Sequence, residues 1–143
     1  MKRGAFRFRP TLLTFVSIIA AVSIVNANDL DELRWRKRAI IIYAPDGSEK
    51  QLARQEQLLR SHQAELEERD VTQILLRTPA ENLEVADRFQ LAGSTFTLLL
   101  IGKDGGEKLR SDEIVSPERI CGLIDSMPMR QEEIRKRAGK TKG

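Results

Sequence analysis

Thr95-Phe96-Thr97-Leu98-Leu99-Leu100-Ile101-Gly102-Lys103-Asp104-Gly105-Gly106-Glu107-Lys108-Leu109-Arg110 is the stretch whose reading decides the fold. Phe96 to Ile101 is an almost unbroken apolar run of strand length, and Lys103-Asp104-Gly105-Gly106 supplies the acid and the glycines that a tight hairpin turn requires. The pattern predicts a buried strand, a turn and a returning strand. A strand apolar at nearly every position has no face left for water, so it belongs inside a sheet covered on both sides, and helical patterns flank it in the sequence.

N-terminal to the hairpin, Ala39 to Ala44 is a β-branched run too short for a helix and reads as a second buried strand, ended by the turn Pro45-Asp46-Gly47. Before it, Asn28 to Lys37 carries Asp29 and Glu32 at capping-box spacing, with Leu30, Leu33 and Trp35 available to close over a core edge, which predicts a short helical turn. After it, Ser48 and Gln51 form a second capping-box pair, and Leu52, Leu59 and Leu66, with Gln55 and His62 on the same face, predict one long helix to Glu68. Val71 to Leu76 is a third strand. A strand, a helix and a strand at this spacing imply parallel strands joined by a right-handed crossover.

Thr78-Pro79 ends that strand, and Leu83, Ala86, Phe89 and Gln90 predict one face of a shorter helix leading to Gly93-Ser94 and the hairpin. Beyond the hairpin, Ser116-Pro117 is an N-cap followed by proline at the first helical position, and Ile120, Leu123, Ile124 and Met127 form an apolar stripe. Pro128, which has no amide hydrogen to donate, should break or restart the helix, leaving Gln131 to Arg137 as an exposed continuation with Ile134 as its one strong hydrophobe. The order β-α-β-α-β-β-α, two parallel strands followed by an antiparallel hairpin, is that of an α/β, thioredoxin-like fold with a mixed four-stranded sheet. A small doubly wound sheet would need a helical crossover where this chain has only Lys103 to Gly106.

The ends differ from the middle. Residues 1–27 have the layout of an export signal: Lys2, Arg3, Arg7 and Arg9, the apolar stretch Thr11 to Val25, and Val25-Asn26-Ala27 as a small-residue cleavage site. An uncleaved inner-membrane anchor is the alternative, but about 15 residues rise only about 22 Å as a helix, short of a roughly 30 Å hydrocarbon core. The expected organisation is therefore an export signal at 1–27, one domain at 28–137 and a flexible basic tail at 138–143, in a periplasmic or secreted protein with no membrane span after cleavage. The whole chain carries 24 Lys+Arg against 21 Asp+Glu, a net +3; without the four basic residues of the signal the balance is 20 against 21, a net −1. The basic excess belongs to the signal, which argues against nucleic acid as a partner. One cysteine, Cys121, precludes an internal disulfide, so stability must come from packing.

Several segments, Leu33-Arg34-Trp35-Arg36-Lys37-Arg38, Ala44-Pro45, Glu68-Arg69-Asp70, the hairpin Phe96 to Gly106, and Ile124-Asp125-Ser126-Met127-Pro128-Met129-Arg130, together resemble the bacterial DUF4174 family. That family is similar to a domain of some vertebrate secreted matrix and sushi-repeat proteins assigned to thioredoxin-like folds. The resemblance covers essentially the whole chain after the signal. It implies fold and compartment, and no reaction.

Thioredoxin-type chemistry needs a thiolate of lowered pKa at the start of the helix after the first strand. Ala44-Pro45-Asp46-Gly47-Ser48-Glu49 occupies that position without a cysteine, and Gly93-Ser94 stands where such folds place a proline before the hairpin strand. Cys121, at helical spacing with Pro117, Ile120 and Ile124, reads as a small buried hydrophobe; a peroxide-reducing thiol is the alternative. His62, the one histidine, reads as a polar residue at a helix boundary, and one His and one Cys far apart offer no metal site. No cofactor and no catalytic residue is expected. The best candidate contact surface for a protein or cell-envelope partner combines Asp125, Met127, Met129 and Arg130, an adaptable apolar patch with a charged rim, with Lys103, Lys108 and Arg110 of the hairpin.

Overall fold

Strands β1 (Arg38–Tyr43) and β3 (Thr97–Ile101) lie side by side, antiparallel, at the middle of a four-stranded sheet. The computed structural model describes residues 28–141, so the expected export segment falls outside the described residues. Strand β2 (Val71–Leu76) runs parallel to β1 on one side, and β4 (Glu107–Ser111) returns antiparallel to β3 on the other, giving the order β2-β1-β3-β4. These directions and this order are those of a thioredoxin-like fold, and the mixed sheet expected from the hairpin and the β-α-β unit is present.

Beyond their first residues, Arg38 and Thr97, the central strands are apolar throughout because both of their faces are covered. Ile40, Ile42, Leu98 and Leu100 point to one side, where α2 (Glu49–Ser61) and α3 (Gln63–Glu68) contribute Leu52, Leu59 and Leu66, and α5 (Pro117–Asp125) contributes Ile120, Cys121 and Ile124. Ala39, Ile41, Tyr43, Leu99 and Ile101 point to the other, against Leu30 of α1 (Asn28–Leu33), Val85 and Ala86 of α4 (Leu83–Arg88), Phe89 and Leu91. Each leucine or isoleucine so enclosed contributes about 1.5–3 kcal/mol relative to exposure. The loop before α5 is fixed by a buried amide. Gln55 donates to the Val115 carbonyl (2.9 Å) and accepts from the Val115 amide (2.8 Å), replacing a backbone pairing the loop lacks.

Helix α5 starts as its sequence predicts, with Ser116 accepting from the Arg119 amide and Pro117 at the first helical position. Pro128 restarts the chain as α6 (Pro128–Lys140), which continues past Arg137, so the basic residues 135–140 lie on a helix.

Four expectations need correction. The long helix to Glu68 is two helices that part at His62, whose Nδ1 lies 3.2 Å from the Leu58 carbonyl that a continuing helix would have given to its backbone amide. Ser48 holds the N-cap position of α2 but its side chain makes no cap hydrogen bond; Glu49 reaches back to the Gly47 amide instead, and Gln51 donates to the Asp112 carbonyl. In α4 the buried side chains are Val85 and Ala86, with Phe89 just beyond, while Leu83 and Gln90 are exposed. Asn82, accepting from the Val85 amide, sets that helical phase, and Gln90 has already left it with φ of 52°. Trp35, finally, does not close a core edge: it is 62% exposed, with φ of 66°, because the chain reverses there and gives its amide to the Lys103 carbonyl (2.6 Å).

Candidate functional site

The first residue of β1 and the turn after β3 meet at one end of the sheet, and the α5–α6 junction closes over them. Two cations, Arg38 and Lys103, are only 1% and 8% exposed there. Burial of a charge is tolerated only with partners, and α6 brings one carboxylate for both. The Arg38 guanidinium forks onto Glu133 (3.3 and 3.2 Å) and donates to the Arg69 carbonyl (2.8 Å); Lys103 Nζ lies 2.7 Å from Glu133 and 2.9 Å from Asp70. Burial raises the Glu133 carboxyl pKa, but the hydrogen bonds from Lys103 and Arg38 outweigh it and hold that pKa below the ordinary value.

Behind this pair lies a second layer. Arg130, 2% exposed, donates to Glu68 (2.6 Å) and Asp125 (3.2 Å). Arg69 forks onto Asp125 (3.0 and 2.7 Å) and also reaches Glu68 (3.0 Å), on which Arg137 converges as well (3.1 Å). The Arg130 hydrogen bond lowers the Glu68 pKa, and the Arg69 hydrogen bond lowers that of Asp125. Helix α6 is thus fastened to the domain by ion pairs; its one buried residue is an arginine.

In front of the buried cations an open groove of about 420 Å³ is lined by Arg38, Gly102, Lys103, Asp104 and Lys108 from the sheet end and by Ser126, Met127, Pro128 and Met129 from the helix junction. Strand β4 contributes Lys108 through a bulge. Leu100 pairs with Leu109 and Ile101 with Glu107, so Lys108 is the unpaired residue, and its ammonium sits 2.7 Å from Asp104. Gly102 lets these two side chains approach, since a Cβ there would lie 2.6 Å from Lys108 Cε and 2.7 Å from Asp104 Oδ1.

The seven residues singled out from sequence separate into three groups. Lys103, Lys108, Met127 and Met129 come together in the groove, with Met129 exposed and Met127 half-buried. Asp125 and Arg130 are spent in the ion-pair layer behind it, and neither Arg130 nor Lys103 is available as a freely solvated surface charge. Arg110 is apart from the groove, engaged with Glu107 (3.0 and 2.7 Å) and the Phe89 carbonyl (2.7 Å). Sequence reasoning missed Arg38 and Glu133, which join the groove to α6, and Trp35, whose neighbour Arg34 donates to the Asp104 carbonyl (3.1 Å) in the same hairpin turn.

A family model described as a domain of unknown function, DUF4174, matches residues 29–133. The chain belongs to the DUF4174 family. It is also similar to sushi repeat-containing protein SRPX2: 32% identical over 129 positions to that of Bos taurus, 31% over 133 to that of Rattus norvegicus and 31% over 132 to that of Homo sapiens. These alignments cover 77%, 80% and 79% of this chain and 28% of each relative, so the chain spans little more than a quarter of the curated relatives it matches. Arg38, Lys103, Arg130 and Glu133 all fall inside the span matched by DUF4174.

In this DUF4174 domain the groove lies at the opposite end of the sheet from the position thioredoxins use for chemistry. That position, at the far end of β1, holds Ala44-Pro45-Asp46-Gly47 before α2, about 20 Å away along a six-residue strand. Gly93, in place of the usual proline, has φ of 82° and accepts a hydrogen bond from the Tyr43 hydroxyl (2.8 Å). Cys121 is buried on the core-facing side of α5, and desolvation raises its thiol pKa despite the opposing pull of Arg69. His62 sits half-buried at the α2–α3 break with Nε2 3.2 Å from Glu118.

Proposed function

We propose that the protein is an exported, non-catalytic thioredoxin-like module that binds a protein or cell-envelope component through the groove at the hairpin turn and α5–α6 junction. The observation that carries this reading is the construction of the groove: a floor made rigid by buried ion pairs, a methionine wall that can adapt its shape, and an exposed tryptophan on the adjoining turn. Binding surfaces favour this combination, because methionine repacks around different partners and tryptophan delivers a large area at low entropic cost. Similarity to about a quarter of longer, sushi repeat-containing relatives also supports a modular role. The Lys2-to-Ala27 pattern supports export, and among the described residues no helix is long and apolar enough to cross a membrane.

Peroxide chemistry at Cys121 is the competing reading, and the burial of the thiol with its raised pKa weighs against it. Affinity capture from cell-envelope extract tests the binding reading when wild type is compared with a Trp35→Ala, Met127→Ala, Met129→Ala variant. Arg130 is unsuitable as a probe, since replacing a buried paired arginine would disturb α6 itself. The variant should fold as wild type does and lose the partners wild type retains; recovery of the same partners would sink the proposed surface. An intact mass beginning at Asn28 would support export with cleavage, and one retaining Met1 in the membrane fraction would support the anchor.

A further inference from the structure

The two edges of the sheet are built in contrasting ways. Edge strand β4 carries Glu107, Lys108 and Arg110 and a bulge, the devices that keep an edge from recruiting another strand. Edge strand β2, Val71-Thr72-Gln73-Ile74-Leu75-Leu76, has no charge, proline, glycine or bulge and pairs in unbroken register with β1. It is the regular, uncharged edge that β4 is built to avoid being.

The hydrogen bonds identify which of its backbone groups are free. The carbonyls of Asp70 and Leu76 accept from the amides of Arg38 and Ala44, both at 2.8 Å, so the even-numbered residues turn toward β1. Along a strand the two backbone groups of one residue point to the same side and alternate from residue to residue. Val71, Gln73 and Leu75 therefore direct three N–H and three C=O groups outward, and none of these has a partner among the described residues. The next outward amide, that of Arg77, is already taken by the Glu81 carboxylate (2.7 Å), which ends the free run.

We infer that β2 pairs antiparallel with β2 of a second copy of this chain, about a twofold axis through Gln73, to make a continuous eight-stranded sheet. This edge is its own complement. Gln73 lies opposite Gln73 of the second copy and Val71 opposite Leu75, so all three outward donors and all three acceptors of each copy are used, six hydrogen bonds in total. The side chains agree with the backbone. Val71 and Leu75 pack on the same face of the sheet, so each apolar residue meets an apolar residue, an amide meets an amide, and no strand residue places a charge against a charge. Sliding the register by two residues in either direction leaves fewer of these bonds, since Arg77 has no amide to give and Arg69 lies outside the strand. A foreign strand offers no such match on either backbone or side chain without being selected for it.

Two experiments on the full chain test the pairing. In a Cys121→Ser background, Gln73→Cys puts the only thiols at facing positions whose Cα atoms are about 5.5 Å apart, inside the roughly 4.4–6.8 Å range of a disulfide. Mild oxidation with oxidised glutathione should give a covalent dimer from Gln73→Cys, and none from Thr72→Cys, offset from its own copy, or from Lys108→Cys on the other edge. Equal cross-linking at all three sites would mean random collision and overturn the pairing. Sedimentation of the otherwise unaltered chain should show a monomer–dimer equilibrium that Gln73→Glu weakens several-fold by facing two carboxylates across the axis, while thermal melts taken at dilutions where both are monomeric stay unchanged. A wild type that stays monomeric over the whole concentration range would overturn the inference even if the cysteine variants failed to fold.

Discussion

Glu133→Gln is the substitution that asks most of this structure. Glu133 is the carboxylate that Arg38 and Lys103 share, and Arg130 lies 3.6 Å from it, so three nearly buried cations converge on one group that is itself 19% exposed. Glutamine keeps the size and one acceptor, but it removes the charge and turns an N–H₂ toward donors. Breaking a buried ion pair by removing one partner costs about 3–5 kcal/mol, mostly as the penalty of the charge left behind. Lys103 keeps Asp70 and Arg38 keeps the Arg69 carbonyl, which places the expected loss at the lower end, about 3 kcal/mol. With a urea m-value of about 1.5 kcal/mol per molar, the unfolding midpoint should fall by about 2 M at unchanged m. Equilibrium urea unfolding at neutral pH measures this, with Glu132→Gln as the control on the same helix. Among the described residues Glu132 pairs only with exposed Arg135 and Lys136, and its loss should leave the midpoint where it is. If the two variants unfold at the same urea concentration, the ion pairs do not hold α6, and the account of the groove floor fails with them.

Acid should loosen the same fastening: Glu133, Glu68 and Asp125 all have pKa values lowered by folding, so each adds stability above the ordinary carboxylate range that is lost as pH falls through its lowered value. Urea midpoints should therefore hold steady from neutrality to about pH 5 and drop below about pH 4, and a midpoint that rose on acidification would reverse the assignment. Cys121 should resist iodoacetamide in the native protein and react once urea unfolds it, because burial both hides the thiol and raises its pKa; rapid native alkylation with sulfenate formation by peroxide would restore the redox reading.

Much of the fold was legible because it rests on local signals. Phe96 to Gly106 announced a strand and a turn by composition alone, Ser116-Pro117 announced a helix start, and Pro128 announced a restart. Errors came where two local signals competed. At His62 an imidazole took a backbone carbonyl and split a helix whose apolar stripe still ran true. At Asn82 a cap set the phase of α4 and turned Leu83 to solvent, although its hydrophobicity had nominated it for the core.

The chain by itself determined the strand order and the two-sided burial of β1 and β3, since apolar periodicity and turn chemistry act over a few residues, and it nominated seven contact candidates, Lys103, Lys108, Arg110, Asp125, Met127, Met129 and Arg130, of which four meet in the groove. Only the tertiary structure decided which charges are solvated and which are buried. Arg36 and Arg38 are the same residue type two positions apart, yet one is exposed and the other is sealed under Glu133, 95 residues away. Nothing local separates them, because the environment of a charge is set by whatever the rest of the chain brings alongside it, and here that is a helix the ion pairs themselves hold in place.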